Sequence, residues 1–366
     1  MMASPRLEID LDKIYHNAYE LVMRLAKNNI SVTGVTKAAL GSVEIADTLL
    51  RAGVNGLGDS RIGNIKAMRL ADKDALTKDA MMMLIRSPML SEVKQVVMYA
   101  DISCNTEIEV IRKLSLEACK QGRTHQILLM VELGDLREGI MPEDLIDTVR
   151  DVLSLPNILF KGIGTNLACR SGVSPDATNM AELSMLADNI EMAFGLTIDT
   201  VSGGNSANLQ WALSGHVGHA GRINNLRLGE AILLGCETLH RRPINGLYTN
   251  AIILVTEVIE SKLKPSQSSG DIAETAFGEA KTIIDRGVVR QAILAIGRQD
   301  IDPCGLKAPA GIEMLDASSD HLIVESADNN LCVGEEMIFQ INYSALLRAM
   351  TSPFVSKYFS SAKVSH

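Results

Sequence analysis

Short apolar or β-branched runs alternate with longer segments of helical period in the part of the chain before about residue 240. A first run at residues 6–10 predicts an opening strand, and Ile14, Ala18, Leu21 and Leu25 after it share one helical face. Eight further runs predict strands at residues 32–37, 56–59, 81–86, 100–105, 126–133, 160–166, 200–203 and 225–228. Eight strands with helical segments between them predict a closed (β/α)8 barrel of the TIM type. An open doubly wound sheet has the same alternation, but its Gly-x-Gly-x-x-Gly motif is absent after the first strand.

After about residue 240 the pattern changes to strands joined by turns. The predicted strands are residues 249–260, 287–297, 321–325 and 336–342, and residues 264–271 form a polar loop between two of them. We therefore expect residues 1–240 to form the barrel and residues 241–366 to form a mainly β C-terminal domain. The predicted fold class is α/β.

The composition suits a protein of two domains. The 366 residues are 46% hydrophobic with a mean hydropathy of +0.13, and no apolar run reaches the length of a membrane span. The net charge of −9 without a basic stripe argues against a nucleic-acid partner. The six cysteines have no paired spacing, and the start of the chain lacks a secretory pattern, so we expect reduced thiols, a cytoplasmic location and no metal site.

Lys37 is the strongest candidate for a chemically reactive residue. It closes the first predicted barrel strand, and the carboxyl ends of barrel strands form the floor of the active site. A desolvated lysine there can lose its proton and attack a carbonyl carbon. The alternative is an ordinary surface lysine after a strand.

Two further segments indicate an anion site. Residues 202–208, SGGNSAN, follow the seventh strand, where glycines let backbone N–H groups turn toward a phosphate and Ser206 adds a hydroxyl. Arg227 then ends the eighth strand, and Gly229 follows where backbone must approach a ligand. The alternatives are an ordinary turn for the first segment and a salt-bridged arginine for the second.

Over its whole length the chain resembles the alanine-racemase-like, fold type III pyridoxal-phosphate enzymes, and among them the ornithine and lysine racemases. The motifs that carry the resemblance are GVTK (34–37), GDSR (58–61), VELGDLREG (131–139), GIGTNL (162–167), SGGNSAN (202–208) and SSDH (318–321). The resemblance implies pyridoxal 5'-phosphate as cofactor, a free amino acid as substrate and a homodimer. It also implies that the β domain contributes to the partner subunit's active site.

The resemblance assigns roles to individual residues. Lys37 matches the Schiff-base lysine and one-face base, and Arg227 matches the arginine at the pyridine nitrogen. Arg137 matches an arginine beside the phenolic oxygen of the cofactor and the substrate carboxylate. The phosphate site is matched by Gly204, Asn205, Ser206, Gly229 and Glu230, and the substrate entrance by Ser319 and Asp320.

Three departures from the family pattern make alanine a doubtful substrate. Asn166 stands where many members stack a histidine on the ring, Met130 replaces a lysine that braces the arginine, and Arg298 replaces the opposite-face tyrosine. The nearby loop carries Asp300, Asp302 and Cys304, which are candidates for the opposite-face acid or base. The aspartates are alternatively partners for the distal ammonium of ornithine or lysine, or solvated loop residues.

An arginine at the ring nitrogen also bears on the type of reaction. Its charge disfavours protonation of that nitrogen, so the ring is a weaker electron sink and proton exchange at Cα is favoured. Racemisation is therefore expected rather than decarboxylation or transamination. The alternatives are a non-catalytic pyridoxal-phosphate carrier, a fold type III decarboxylase, and an aldolase-like enzyme that uses Lys37 on a phosphorylated substrate. The identity of the amino acid stays open from sequence.

Overall fold

A computed structural model describes residues 4–71, 75–214, 220–278, 284–326 and 331–361. The chain divides into two compact units, one of Leu11–Thr249 and one of Met1–Asp10 together with Asn250–His366. Within the described residues, no helix is both long and apolar enough to cross a membrane.

The first unit contains a closed barrel of parallel strands, which confirms the predicted barrel. Its strands are adjacent in chain order: β2 (Ser31–Val35), β3 (Gly56–Asp59), β4 (Met82–Leu84), β5 (Ile102–Asn105), β6 (His125–Val131), β7 (Ile158–Thr165), β8 (Thr200–Ser202) and β9 (Asn225–Leu228). β2 closes the barrel against β9, with Thr33 opposite Arg227. The barrel contains a buried cluster of Met83, Ile102, Cys104, Leu128 and Met130.

One helix precedes the first barrel strand, others connect successive barrel strands, and one follows the last. They are α1 (Leu11–Ala26), α2 (Val43–Arg51), α3 (Ile62–Arg69), α4 (Val93–Tyr99), α5 (Ile108–Gln121), α6 (Leu145–Leu153), α7 (Ala177–Phe194), α8 (Leu209–Ser214) and α9 (Glu230–Leu234). α7 begins at a capping box in which Asp176 and Asn179 exchange side-chain to backbone bonds, and it ends at Gly195 with a φ of 63°. α1 buries the predicted face, including Ile14, Leu21 and Leu25.

The second unit is mainly β, as predicted. Its elements are β1 (Arg6–Asp10), β10 (Ile252–Pro265), β11 (Val288–Leu294), β12 (Leu306–Lys307), β13 (Ile312–Ala317), β14 (Leu322–Ser326), β15 (Glu336–Ile341), α10 (Tyr343–Thr351) and β16 (Ser356–Ser360). The central path of the sheet runs β12-β15-β10-β11-β14-β13. β12, β13, β16 and α10 were not predicted from the sequence.

The opening strand differs from the expectation that residues 1–240 all belong to the barrel. β1 pairs antiparallel with β10 and parallel with β16, so it is part of the β unit. Leu7 and Ile9 are fully buried there, and Arg6 forms ion pairs with Glu8 and Glu336. A closed barrel has no free edge to accept another strand, whereas the β sheet does.

Candidate active site

Lys37 lies at the carboxyl end of β2, where the strand stops at Val35 and a short 3-10 turn begins at Lys37 itself. The preceding Thr36 is buried, and its hydroxyl donates a 2.8 Å hydrogen bond to Asp59 at the end of the neighbouring strand β3. The strand ends two residues earlier than predicted, because Thr36, with a φ of −92° and a ψ of −3°, already has helical backbone angles. The hydrogen bond between Thr36 and Asp59 therefore anchors the backbone next to Lys37.

Asp59 is a fully buried carboxylate beside this lysine. Besides Thr36, it accepts hydrogen bonds from the Arg61 backbone N–H at 2.9 Å and from Asn64 Nδ2 at 3.0 Å. Burial raises the pKa of Asp59, and the hydrogen bonds and the charge of Lys37 act against that rise. Asp59 was not singled out from the sequence, although it ends a predicted strand in the GDSR motif.

Arg227 points into the same end of the barrel from β9. It is only 4% exposed, and Nη2 donates to the Thr165 carbonyl at 2.6 Å and to Asn166 Oδ1 at 3.2 Å, while Nη1 donates to the Ser202 hydroxyl. All of these acceptors are neutral oxygens. Burial lowers the pKa of Arg227. The structure thus places here a desolvated guanidinium whose hydrogen-bond acceptors carry no charge, instead of the salt-bridged arginine that was the alternative.

The loop after β8 is built around Asn205. Its Nδ2 donates to Asn166 Oδ1 at 3.1 Å and to the Leu167 carbonyl at 3.0 Å, and its Oδ1 accepts from the Ala207 N–H at 2.8 Å. Gly204 adopts a φ of 141°, and a Cβ there would lie 2.1 Å from Asn208 Oδ1, so only glycine fits. These bonds join the loops that follow β7 and β8.

Ser206 and Glu230 connect this loop to the start of α9. Ser206 Oγ accepts a 3.2 Å hydrogen bond from the Ala231 N–H. Burial raises the pKa of Glu230 to about 7, and the charges of Arg241, at 3.2 Å, and of Lys37 act against the rise. The charge of Lys37 therefore acts on the Glu230 carboxyl.

The loop after β6 carries Arg137. Glu132 shapes this loop by accepting from the backbone N–H groups of Gly134 at 2.6 Å and Leu136 at 2.9 Å. The two oxygens of Glu138 bind Arg137, with Nη2 donating to Oε1 at 2.6 Å and Nε donating to Oε2. Asn166 Nδ2 donates to the same Oε1 at 3.1 Å. Glu138 was not singled out from the sequence, although it lies next to Arg137 in the VELGDLREG motif.

The second unit contains a separate cavity of about 360 Å³, whose lining includes Phe277, Arg298, Gln299, Asp302, Ser319 and Arg348. The Arg298 guanidinium stacks over the Phe277 ring with 4.5 Å between its Cζ and the ring centroid. Of the predicted second-domain residues, Asp302 and Ser319 line the cavity, and Asp320 is an exposed neighbour of Ser319.

Asp300 and Cys304 are not among the residues that line this cavity. Asp300 is 8% exposed and accepts a 2.6 Å hydrogen bond from the Ser352 hydroxyl. Cys304 is exposed, and its backbone N–H donates to Asp302 Oδ1 at 3.1 Å. The three loop candidates that looked alike in sequence therefore occupy three different environments.

Comparison with known proteins places the chain in a family. Residues 9–236 match the model of the alanine racemase N-terminal domain. The chain belongs to the alanine racemase family. It is 38% identical to ornithine racemase of Acetoanaerobium sticklandii, over 96% of this chain and 99% of that protein. It is 37% identical to lysine racemase of Thermotoga maritima, over 98% and 99% of the two chains.

The family's solved structures share the fold. Alanine racemase from a D-cycloserine-producing Streptomyces lavendulae superposes with a TM-score of 0.74 at 15% identity, covering 99% of this chain and 98% of that one. The predicted family, fold class and reaction class are thereby confirmed: this alanine racemase family member is a pyridoxal-phosphate-dependent amino acid racemase.

The residues at the barrel mouth of this family member fit pyridoxal phosphate. A Cβ at Gly229 would lie only 3.1 Å from the Val35 carbonyl oxygen, and a Cβ at Gly204 would crowd Asn208, so packing keeps both positions free of a side chain, and these are positions at which a phosphate could meet backbone. Arg227 would offer the pyridine nitrogen a buried guanidinium whose hydrogen-bond acceptors are all neutral. A covalent attachment requires an amine, which Lys37 provides at the same strand ends.

The raised pKa of Glu230 leads to a prediction about stability. In the folded apoprotein its pKa is about 7, against 4.5 for an ordinary glutamate, so the folded state binds a proton more tightly than the unfolded state. Stability is therefore lost as pH rises from about 4.5 to about 7. We expect Glu230→Gln to stabilise the apoprotein by about 1–3 kcal/mol at pH 8 and to have little effect near pH 4.5.

Thermal unfolding of the wild-type and Glu230→Gln apoproteins at pH 8 and near pH 4.5 checks the predicted difference in stability. Glu143→Gln, which changes an exposed carboxylate, is the matched control and should show no such difference. A gain in melting temperature for Glu230→Gln that is equal at both pH values would contradict the assignment.

Proposed function

We propose that the protein interconverts the two enantiomers of a basic amino acid, ornithine or lysine. The observation that carries the proposal is the placement of Lys37 and Arg227 at the carboxyl ends of adjacent strands, since β2 pairs directly with β9. The specificity for a basic amino acid is supported by the two racemases that match this chain over 99% of their own lengths.

Lys37 and Arg227 have different proposed roles at the barrel mouth. Bound there, pyridoxal phosphate acidifies the Cα–H of an amino acid. Lys37 removes and returns the Cα proton on one face, with its backbone anchored through Thr36 and Asp59. Arg227 would face the ring nitrogen, where its charge disfavours protonation because like charges repel in a site of low dielectric. An unprotonated ring nitrogen withdraws fewer electrons from Cα, which favours proton exchange at Cα over other reactions.

The phosphate and the substrate carboxylate would be held by separate groups. Gly204, Asn205, Ser206 and Gly229 would receive the phosphate, with Glu230 contributing its backbone N–H at the first residue of α9. Asn166 would lie beside the ring, and Arg137 would bind the substrate carboxylate.

Asp302 is the proposed partner of the distal ammonium. It lines the cavity of the β unit, and its two oxygens are oriented by the Cys304 N–H and the Ser344 hydroxyl. An oriented carboxylate pairs well with an ammonium, whereas a small apolar substrate would leave it unpaired at a cost. Ser319 and Asp320 would form the entrance of the same cavity, and Cys304 stays a candidate for the opposite-face acid or base.

Racemisation of a panel of amino acids, followed by chiral chromatography, tests the proposal. We expect the highest kcat/KM for ornithine or lysine and much lower values for alanine and for neutral amino acids of similar length. An enzyme that prefers alanine would disprove the assignment of a basic substrate.

We also propose a homodimer with composite active sites, because the barrel supplies Lys37 while the candidate opposite-face groups lie in the β unit. Mixing an inactive Lys37→Ala chain with an inactive Asp302→Arg chain should form heterodimers with one intact site each. We expect activity to return to a substantial fraction of the wild-type value after subunit exchange. Absence of activity, with exchange verified by mass, would place both sets of residues in one chain.

A further inference from the structure

Two guanidinium groups lie at the barrel mouth, and a carboxylate and an amide connect them by hydrogen bonds. Arg137 is bound through Nε and Nη2 by the two oxygens of Glu138. Asn166 Nδ2 donates to Glu138 Oε1 at 3.1 Å, and Asn166 Oδ1 accepts from Arg227 Nη2 at 3.2 Å. The contacts form an unbroken path from Arg137 through Glu138 and Asn166 to Arg227.

Glu138 helps to determine which way the Asn166 amide points. An ionised carboxylate can only accept hydrogen bonds, so it must face the NH2 group of Asn166. The amide oxygen then faces Arg227 and the Nδ2 of Asn205, which is 3.1 Å away. Arg227 can only donate, so it also requires the Asn166 oxygen, and Glu138 adds a second constraint from the other end of the amide. A neutral amide at position 138 has both a donor and an acceptor and would remove that second constraint.

Glu138 also compensates the charges of the two arginines. Burial lowers the pKa of Arg227, Glu138 acts against that effect, and Arg137 adds to it. For Arg137, burial is the largest influence and lowers the pKa, but the hydrogen bonds with Glu138 and the charges of Cys169, Glu138 and Asp135 together outweigh it and the pKa is raised. Without this carboxylate, the charge of Arg137 would act unopposed on the buried Arg227 guanidinium, although solvent screens the repulsion in part because 40% of the Arg137 side chain is exposed.

Arg137 is held in a way that leaves one side of its guanidinium unused. Nε and Nη2 face Glu138, and none of the hydrogen bonds found among the described residues involves Nη1. A guanidinium fixed along one edge is preorganised, because little rotamer freedom remains to be lost when Nη1 meets an anion.

We propose that Glu138 is a positioning residue, which holds Arg137 toward the carboxylate of the amino acid and keeps the Asn166 oxygen toward Arg227. The part about Arg137 rests on the proposed function, because it needs an amino acid substrate. The part about Asn166 concerns only the binding of pyridoxal phosphate. Each of the two parts is tested by its own measurement.

The first measurement compares two inhibitors with Glu138→Gln. 5-Aminopentanoate has the carboxylate and distal ammonium of ornithine without its α-amine, and 1,4-diaminobutane lacks the carboxylate. We expect the variant to weaken inhibition by 5-aminopentanoate about 10- to 100-fold, the effect of losing a charge-assisted contact, and to change inhibition by the diamine less than about threefold. Glu138→Asp, which keeps the charge, should recover part of the loss.

The second measurement is the dissociation constant of pyridoxal phosphate from the apoprotein, together with the visible spectrum of the bound cofactor. We expect the constant to rise about tenfold in Glu138→Gln, as for one hydrogen bond to a charged group, with a shifted spectrum. Asp147→Asn, which removes a carboxylate from the exposed ion pair with Arg150, is the matched control and should leave both measurements unchanged.

Several outcomes would overturn the proposal. Equal weakening of the two inhibitors, or unchanged constants for the acid and the cofactor, would show that Glu138 does not position these groups. An apoprotein of Glu138→Gln that melts far below Asp147→Asn would show that Glu138 acts in folding instead. If wild-type enzyme binds neither inhibitor, the proposed substrate class fails, and the cofactor titration alone decides the role of Glu138.

Discussion

Replacing Lys37 by alanine is expected to abolish racemisation and the visible absorbance of the lysine-bound cofactor. The substitution removes both the amine that attaches the cofactor and the group that moves the Cα proton on one face. Loss of an acid–base group alone costs about 10²- to 10⁴-fold in rate, and the attachment is lost in addition. Activity and absorbance should be measured on the same preparation.

Lys161→Ala is a suitable control for this substitution, because it removes a barrel lysine from an ion pair with Asp199 and should keep activity and absorbance. Borohydride treatment of wild-type enzyme should fix the pyridoxyl group on Lys37. A label on any other lysine would refute the central assignment of the site.

Asp302→Asn is expected to reduce kcat/KM for ornithine and lysine about 10- to 150-fold, the effect of losing a charge-assisted hydrogen bond of roughly 1.5–3 kcal/mol. A neutral amino acid of similar length should be affected far less, since it brings no ammonium to the carboxylate. The ratio of kcat/KM between the two substrate types is the quantity to measure.

Asp300→Asn is the matched comparison, because Asp300 belongs to the same loop and yet is buried against Ser352. We expect it to lower the melting temperature without changing the ratio between substrates, since it weakens a buried hydrogen bond. Equal losses on basic and neutral substrates in Asp302→Asn would instead assign Asp302 to catalysis or folding.

The barrel could be predicted because its signals are local. β-Branched runs of strand length and amphipathic helices recur in order, and each reflects the burial of its own residues. The same reasoning found Lys37, since a lysine that directly follows a buried strand is visible in sequence. The ends of the strands were predicted less accurately. β2 was expected to include Thr36 and Lys37 but ends at Val35, and the Thr36 hydroxyl bonds to Asp59 on the next strand.

Other parts of the site depend on contacts between distant segments. Glu138 is adjacent to Arg137 in sequence, but its importance arises from Asn166, 28 residues away, and through it from Arg227. Asp59 became a candidate only when Thr36, Arg61 and Asn64 were seen to donate to it. Neither residue has a sequence spacing that by itself indicates these contacts.

The sequence by itself determined the alternation of strands and helices, the change to a β domain, the candidate lysine and arginine at the ends of strands, and the family. These follow from residue types within one element or motif. Only the tertiary structure decided that β1 pairs with β10 and β16, that Asp302 lines a cavity while Asp300 packs against Ser352, and that Glu138 joins two arginines. The physical reason is that pairing, desolvation and charge compensation depend on which distant groups come within a few ångströms, and periodicity along the chain carries no record of that.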